Sequence, residues 1–152
     1  MAVTIRNRRA YFNYDVSEKY EAGIKLLGIE VKAIKEGKGQ LAGSFVRIDN
    51  DMSVWITGFN IPPYSKGSNL TGYSPDRRRK LLLKTSEIKS LKGKIERKGY
   101  TVVPLKVYQK GNLIKVQIGL VRGKKKTQKK DVLIKKQQER EIARFEKVQY
   151  RK

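Results

Sequence analysis

The sequence predicts a mainly β fold: a small, OB-like closed antiparallel barrel of about six strands with one to three short helices, followed by a basic C-terminal tail that is disordered when free. Three observations predict it. Apolar residues alternate with polar ones on both sides of Lys110-Gly111-Asn112, the pattern of two half-buried strands joined by a turn. A second alternating pair flanks Asp49-Asn50-Asp51. The alternation stops at Val121, where Arg122-Gly123-Lys124-Lys125-Lys126 begins a polar stretch.

The elements follow in order. Residues 10–16, Ala-Tyr-Phe-Asn-Tyr-Asp-Val, are rich in aromatics and suit a first strand. Ser17 is placed to cap a short helical turn through Tyr20 that ends at Gly23. Ile24 to Leu27 read as a second strand, and Ile29 to Glu36 as a helix closed by Gly37-Lys38-Gly39. Ser44 to Ile48 and Ser53 to Ile61 form a hairpin, in which Val54 and Ile56 alternate with Trp55 and Thr57. Residues 62–76 hold three of the four prolines plus Gly67 and Gly72, which marks a surface loop.

The clearest helix is 86–98. Ile88, Leu91 and Ile95 form one apolar stripe, Thr85 or Ser86 can cap its start, Glu87 suits the dipole there, and Gly99 stands at C′. In the long hairpin Thr101, Val103, Leu105 and Val107 share a face, as do Ile114, Val116, Ile118 and Leu120. Pro104 cannot donate a ladder hydrogen bond, so it marks an edge or a bulge. Short strands in this number, with so few helices, suit an OB-like barrel, which binds nucleic acid on a strand face and its loops.

Charge divides the chain. Residues 1–121 carry net +13 and read as the folded body; residues 122–152 carry net +9 in a far shorter stretch and read as the tail. The whole chain of 152 residues has a formal charge of +22. That excess repels itself unless a polyanion neutralises it, and nucleic acid is the commonest polyanion, with an anionic membrane surface as the rival. In the tail, Asp131 and Lys135 form a favourable i, i+4 pair, while Ile134, Ile142 and Phe145 give only a weak stripe. It reads as a segment that folds against RNA or as a solubilising basic extension.

Composition also excludes classes of function. Cysteine and histidine are both absent, which removes disulfides, thiolate nucleophiles, the usual zinc ligand sets and histidine-based triads. There is no GxGxxG and no GxxxxGK[ST]. Asp15, Glu18, Glu21, Glu30 and Glu36 are the carboxylates a Mg²⁺-dependent nuclease could draw on, but they lack a paired spacing and read as scattered surface acids. No run of about 18 apolar residues is present, as a membrane span requires. Met1 to Arg6 has no apolar core of a signal peptide, so an intracellular, cytoplasmic protein is expected.

Three basic clusters carry the expectation of RNA. Arg6, Arg8 and Arg9 precede Tyr11, Phe12 and Tyr14; Arg77-Arg78-Arg79-Lys80 is the second; Lys124-Lys125-Lys126 with Lys129-Lys130 is the third. Such residues neutralise phosphates and release counterions. For any single lysine a solvated surface is the plainer reading, and most of the aromatics suit a core, leaving one or two to stack on bases.

Six stretches carry a family resemblance: Asn7-Arg8-Arg9-Ala10, Glu21-Ala22-Gly23-Ile24, Gly28-Ile29-Glu30-Val31-Lys32, Arg79-Lys80-Leu81-Leu82-Leu83, Gly99-Tyr100-Thr101-Val102-Val103-Pro104-Leu105 and Gly123-Lys124-Lys125. In their order and spacing they resemble the bacterial SsrA-binding protein family, also called small protein B, along nearly the whole chain. The resemblance implies an OB-type barrel that binds the tRNA-like domain of transfer-messenger RNA. In that family the complex enters ribosomes stalled on truncated messages. The protein stands in for the missing anticodon arm, while its tail probes the 16S ribosomal RNA decoding centre and the empty mRNA channel. It implies an adaptor with no active site and no cofactor, acting alongside elongation factor Tu and alanyl-tRNA synthetase through the RNA.

By the same resemblance Asn7, Glu21 and Leu82 are RNA-binding positions, and Lys124, Lys125, Lys129 and Lys130 are ribosome contacts of the tail; the basic residues Arg8, Arg9, Lys32 and Lys80 are expected to join the RNA-binding set. A carboxylate at 21 can accept from base or ribose donors. Leu82 has a packing explanation as well as a binding one. The chain departs from the family tail at Thr127, where a His or aromatic is common, and at Gln128-Lys129-Lys130, where Asp-Lys-Arg is usual. Threonine does not stack as a ring does, and lysine lacks arginine's planar fork. Lys84 also stands where His or Asn is common. A structural ribosomal protein or RNA chaperone is the alternative of a different class.

Overall fold

The computed structural model describes residues 4–64 and 72–124. Its elements are β1 (Thr4–Arg6), α1 (Arg8–Asn13), β2 (Tyr14–Ile24), α2 (Gly28–Lys35), β3 (Phe45–Ile48), β4 (Val54–Thr57), β5 (Arg79–Leu82), α3 (Thr85–Ile95), β6 (Tyr100–Lys110) and β7 (Leu113–Gly123). The strands pair antiparallel in the order β6-β3-β4-β5-β2-β7, and β7 pairs back onto β6. Six strands thus close a ring, as the sequence predicts, and closure leaves that ring without a free edge. β1 lies outside the ring and adds to β6, with Ile5 opposite Val107.

The ring's interior is the main core, with Ile56, Phe59, Leu81, Val107, Val116 and Ile118 at its centre. Ala33 and Ile34 of α2 and Leu91 of α3 pack into the same cluster, and Ile88 and Ile95 flank Leu91 as the stripe requires. A second, smaller cluster lies under α1, where Ala10 meets Val103, Leu105 and Val121. The body therefore has apolar packing on both sides of the β6–β7 sheet.

Several sequence expectations are corrected. The strand expected at 10–16 is helix α1 up to Asn13. Asn7 caps it: its Oδ1 accepts from the Ala10 N–H at 3.2 Å, a local bond that outweighs the β preference of the aromatics. The helical turn expected from Ser17 to Gly23 is part of the long strand β2, and the strand expected at 24–27 keeps only Ile24. β2 bonds β7 along nearly its whole length and β5 only at Gly23 and Ile24, and the long ladder to β7 overrides the weak strand propensity of its Glu, Lys and Ser.

α3 stops at Ile95, three residues short of expectation, and Gly99 at φ 87° serves the turn into β6 instead of a C′ position. Its N-cap is Lys84, whose N–H is accepted by Glu87 at 3.1 Å, half of a capping box without the Ser or Thr. β4 ends at Thr57, short of Ile61, because Gly58 turns away at φ 83°. The helix expected at 29–36, the 49–51 turn and the long hairpin stand where the sequence puts them. β7 runs to Gly123, two residues past the expected end of the body.

Pro104 marks a bulge, with the register shifting between Pro104 and Lys106. The bulge breaks the expected single face of β6. Val103 and Leu105 point to the cluster under α1, whereas Val107 points into the main core. On β7 no such shift occurs, and Ile114, Val116, Ile118 and Leu120 all face the main core.

Candidate nucleic-acid interface

In a closed ring the side chains that do not fill the core stand on the outer wall. Register places two rows of them across β5, β2, β7 and β6. Leu82, Gly23, Lys115 and Tyr108 form one row; Glu21, Gln117 and Lys106 form the next, which β1 extends with Arg6. Leu82 is 48% exposed while Leu81 beside it is buried, so the packing explanation belongs to Leu81 and the outward position to Leu82. Gly23 keeps this spot shallow, since a Cβ there would lie 3.3 Å from the Leu82 Cβ.

Glu21 is exposed and its carboxylate is held from one side. The Tyr108 hydroxyl donates to Oε2, and the Lys110 ammonium lies 3.3 Å from Oε1. The Tyr108 bond first, then Lys110, holds the Glu21 carboxyl below its usual range. Burial and the Glu21 carboxylate push the Tyr108 phenol up to about 12. At neutral pH the pair is therefore an ionised acceptor gripped by a neutral donor.

Asn7 is buried, unlike its neighbours. Its Nδ2 donates to the Pro104 carbonyl at 2.8 Å while Oδ1 caps α1, so one side chain locks the helix onto the bulge of β6. Arg8 and Arg9 of that helix are exposed. Arg6, Arg8, Tyr11 and Lys106 line a cleft of about 390 Å³. Arg9 contributes to another of about 380 Å³ together with Asn13 and Phe45.

The remaining predicted site residues lie outside these two rows. Lys80 stands opposite Trp55 in the β4–β5 register, and Arg78 stacks 4.1 Å from the centre of the Trp55 ring. Lys32 is exposed on α2, with its ammonium 5.6 Å from the Tyr64 ring centre. Lys124 holds the end of α1: its N–H donates to the Asn13 carbonyl and its ammonium to the Tyr11 carbonyl, both at 2.9 Å. Lys125, Lys129 and Lys130, and the departures at Thr127 and Gln128, lie outside the described residues.

Sequence reasoning missed Tyr108, Lys110, Lys106 and Lys115 as neighbours of Glu21. Their signal was present as the other phase of the alternation that marks the core face of the hairpin. Four of the five carboxylates considered for Mg²⁺ are engaged with cations instead, Glu21 with Lys110. Glu30 is not the surface acid expected: it is buried between Arg77 and Arg79. This pairing takes Arg79, itself fully buried, out of the second basic cluster. Glu18 bonds Lys94, and Glu36 pairs with Lys38. Among the described residues no three acidic side chains gather, and no helix is long and apolar enough to cross a membrane.

Comparison with known proteins gives these features a family. Residues 4–148 match the family described as SmpB protein. The chain is 44% identical over 148 residues to the SsrA-binding protein of Carboxydothermus hydrogenoformans, covering 97% of this chain and 98% of that one. It is 45% identical over 138 residues to the SsrA-binding protein of Synechocystis sp., covering 91% and 89%. A solved structure described as "tmRNA-SmpB: a journey to the center of the bacterial ribosome" matches with a TM-score of 0.68 and 46% identity, over 81% of this chain and 85% of that one. A family match across nearly every residue, on a ring of strands with a basic outer wall, settles the kinship: this chain belongs to the SmpB protein family.

Proposed function

We propose that this chain is an RNA-binding adaptor that holds the tRNA-like domain of transfer-messenger RNA and takes it to stalled ribosomes for trans-translation and ribosome rescue. The observation that carries the proposal is identity above 40%, over nearly the full length, with proteins named SsrA-binding protein, together with the likeness to a tmRNA–SmpB structure. In this reading the chain supplies shape and charge, the RNA supplies the aminoacyl and message chemistry, and no catalytic group or cofactor is needed. Elongation factor Tu and alanyl-tRNA synthetase act on the RNA rather than on this chain, in the cytoplasm.

The outer wall is the body's RNA surface. Glu21 accepts from base or ribose donors, Leu82 offers an exposed apolar contact beside it, and Arg8 and Arg9 reach phosphates. Lys80 adds charge from the same wall, two residues along β5 from Leu82, and Lys32 adds it from α2. Asn7 acts by fixing α1 rather than by offering a free amide. Residues 122–152 form the second unit, whose Lys124, Lys125, Lys129 and Lys130 approach the decoding centre and mRNA channel. Lys124 also ties the start of that unit to α1.

Titration of the full chain against a transcript of the tRNA-like domain, with an unrelated structured RNA of equal length as control, tests the proposal. The cognate transcript is expected to bind far more tightly, and log K to fall with log salt at a slope of about −5 if ~6 phosphates are contacted. Equal affinity for both RNAs across the salt series would overturn it.

A further inference from the structure

The Glu21 carboxylate has to be aimed if it is to meet RNA, a role that rests on the RNA-binding function proposed above. We propose that Tyr108 is a positioning residue for RNA recognition: it holds the Glu21 carboxylate in the orientation that meets the RNA. The geometry is unusual for a strand pair. Glu21 is on β2 and Tyr108 on β6, and β7 runs between them with Lys115 and Gln117 on the same wall. The phenol therefore reaches across two strand spacings, roughly 10 Å, to place its hydroxyl on Oε2.

Two groups hold the carboxylate, and they differ in what they can fix. The Lys110 side chain is 65% exposed, its ion pair is a solvated one, and its stem is flexible. Tyr108 is partly buried and has two torsions, so it sets a direction at little entropic cost. Its hydroxyl is protonated and donating throughout the physiological range, as any phenol is, and burial and Glu21 push its titration further up.

The other end of the ring faces the cationic part of the wall. The Lys106 ammonium sits 5.3 Å from the Tyr108 ring centre, and Lys106 also lines the cleft with Arg6, Arg8 and Tyr11. Tyr108 thus stands between one fixed acceptor and a set of phosphate-seeking cations. That spacing of acceptor and cations suits a ribose or base donor next to a phosphate of the same strand. A carboxylate alone would repel that phosphate, so its aim decides whether it helps.

A double-mutant cycle in the full chain tests this. Tyr108→Phe, Glu21→Gln and the pair are titrated with the tRNA-like transcript and with the unrelated RNA, while thermal unfolding monitors the fold. Tyr108→Phe keeps the ring and is expected to leave Tm within about 2 °C of the parent. It should raise Kd for the tRNA-like transcript about fivefold to tenfold and leave the unrelated RNA unchanged. On the Glu21→Gln background the same change should be under about twofold, which a merely structural tyrosine would not produce. Tyr108→Phe without effect while Glu21→Gln weakens binding would overturn the proposal, as would equal losses in both backgrounds or no loss from Glu21→Gln. A parent chain that does not discriminate the two RNAs at all would instead overturn the function on which it rests.

Discussion

Replacing Glu30 by Gln is expected to destabilise the fold by about 3–5 kcal/mol, because it leaves a buried cation without its anion. The Glu30 carboxylate accepts from the Leu27 N–H at 2.7 Å, the Tyr73 hydroxyl at 3.1 Å, Arg79 Nε at 2.5 Å and the Arg77 guanidinium. Arg77 is 33% exposed and can turn to water, whereas the side chain of Arg79 is 0% exposed and cannot. Arg79 keeps the Phe59 and Pro75 carbonyls, but those are dipoles and leave the charge uncompensated. At about 4 °C per kcal/mol for a body of this size, Tm should fall by 12–20 °C. The pH dependence identifies the cause. Burial pushes the Glu30 carboxyl up, but the bonds from Arg77, Leu27 and Arg79 together outweigh it and hold it below its usual 4.5. A depressed carboxyl stabilises the fold fully above pH 4.5 and loses that contribution as pH falls through the folded value. The gap between parent and Glu30→Gln in circular-dichroism melts should therefore be full at neutral pH and close under acid. A variant melting within about 3 °C of the parent at pH 7, or a gap unchanged by acid, would refute the reasoning.

Asn7→Ala should cost about 2 kcal/mol, since it removes the α1 cap and leaves the Pro104 carbonyl without its buried partner; urea midpoints measure this, and unchanged stability would show that Asn7 is held for contact alone. Ending the chain after Lys124, so that β7 and the bonds from Lys124 to α1 are kept, should leave specific RNA binding largely intact and abolish ribosome rescue in a stalled-translation assay; equal loss of both would sink the division into body and tail.

The long hairpin was legible because Ile114, Val116, Ile118 and Leu120 alternate without interruption on a strand whose inner face is the core. β6 was legible as a strand but not as a surface. Pro104 announced a bulge, yet the sequence does not say how far the phase shifts, and that shift sends Val103 and Leu105 to a second cluster. β2 was misread for a related reason. A register shift between Val16 and Glu18 interrupts its period, and its exposed residues Lys19 and Glu21 are charged, so it looks locally like a capped turn. The weak propensity of the run from Ser17 to Glu21 is offset by its ladder to β7, which only the folded chain reveals. Glu21 itself was found only through the family resemblance. Its holder Tyr108 lies 87 residues away, with a third strand between, and no local pattern reaches across that separation. What composition could supply was the sign of the partner, since a net +22 demands a polyanion. What the closed ring adds is where on the wall that charge meets a held acceptor, Glu21 gripped by Tyr108 and Lys110, and in the proposed function that juxtaposition, more than the charge, tells one RNA from another.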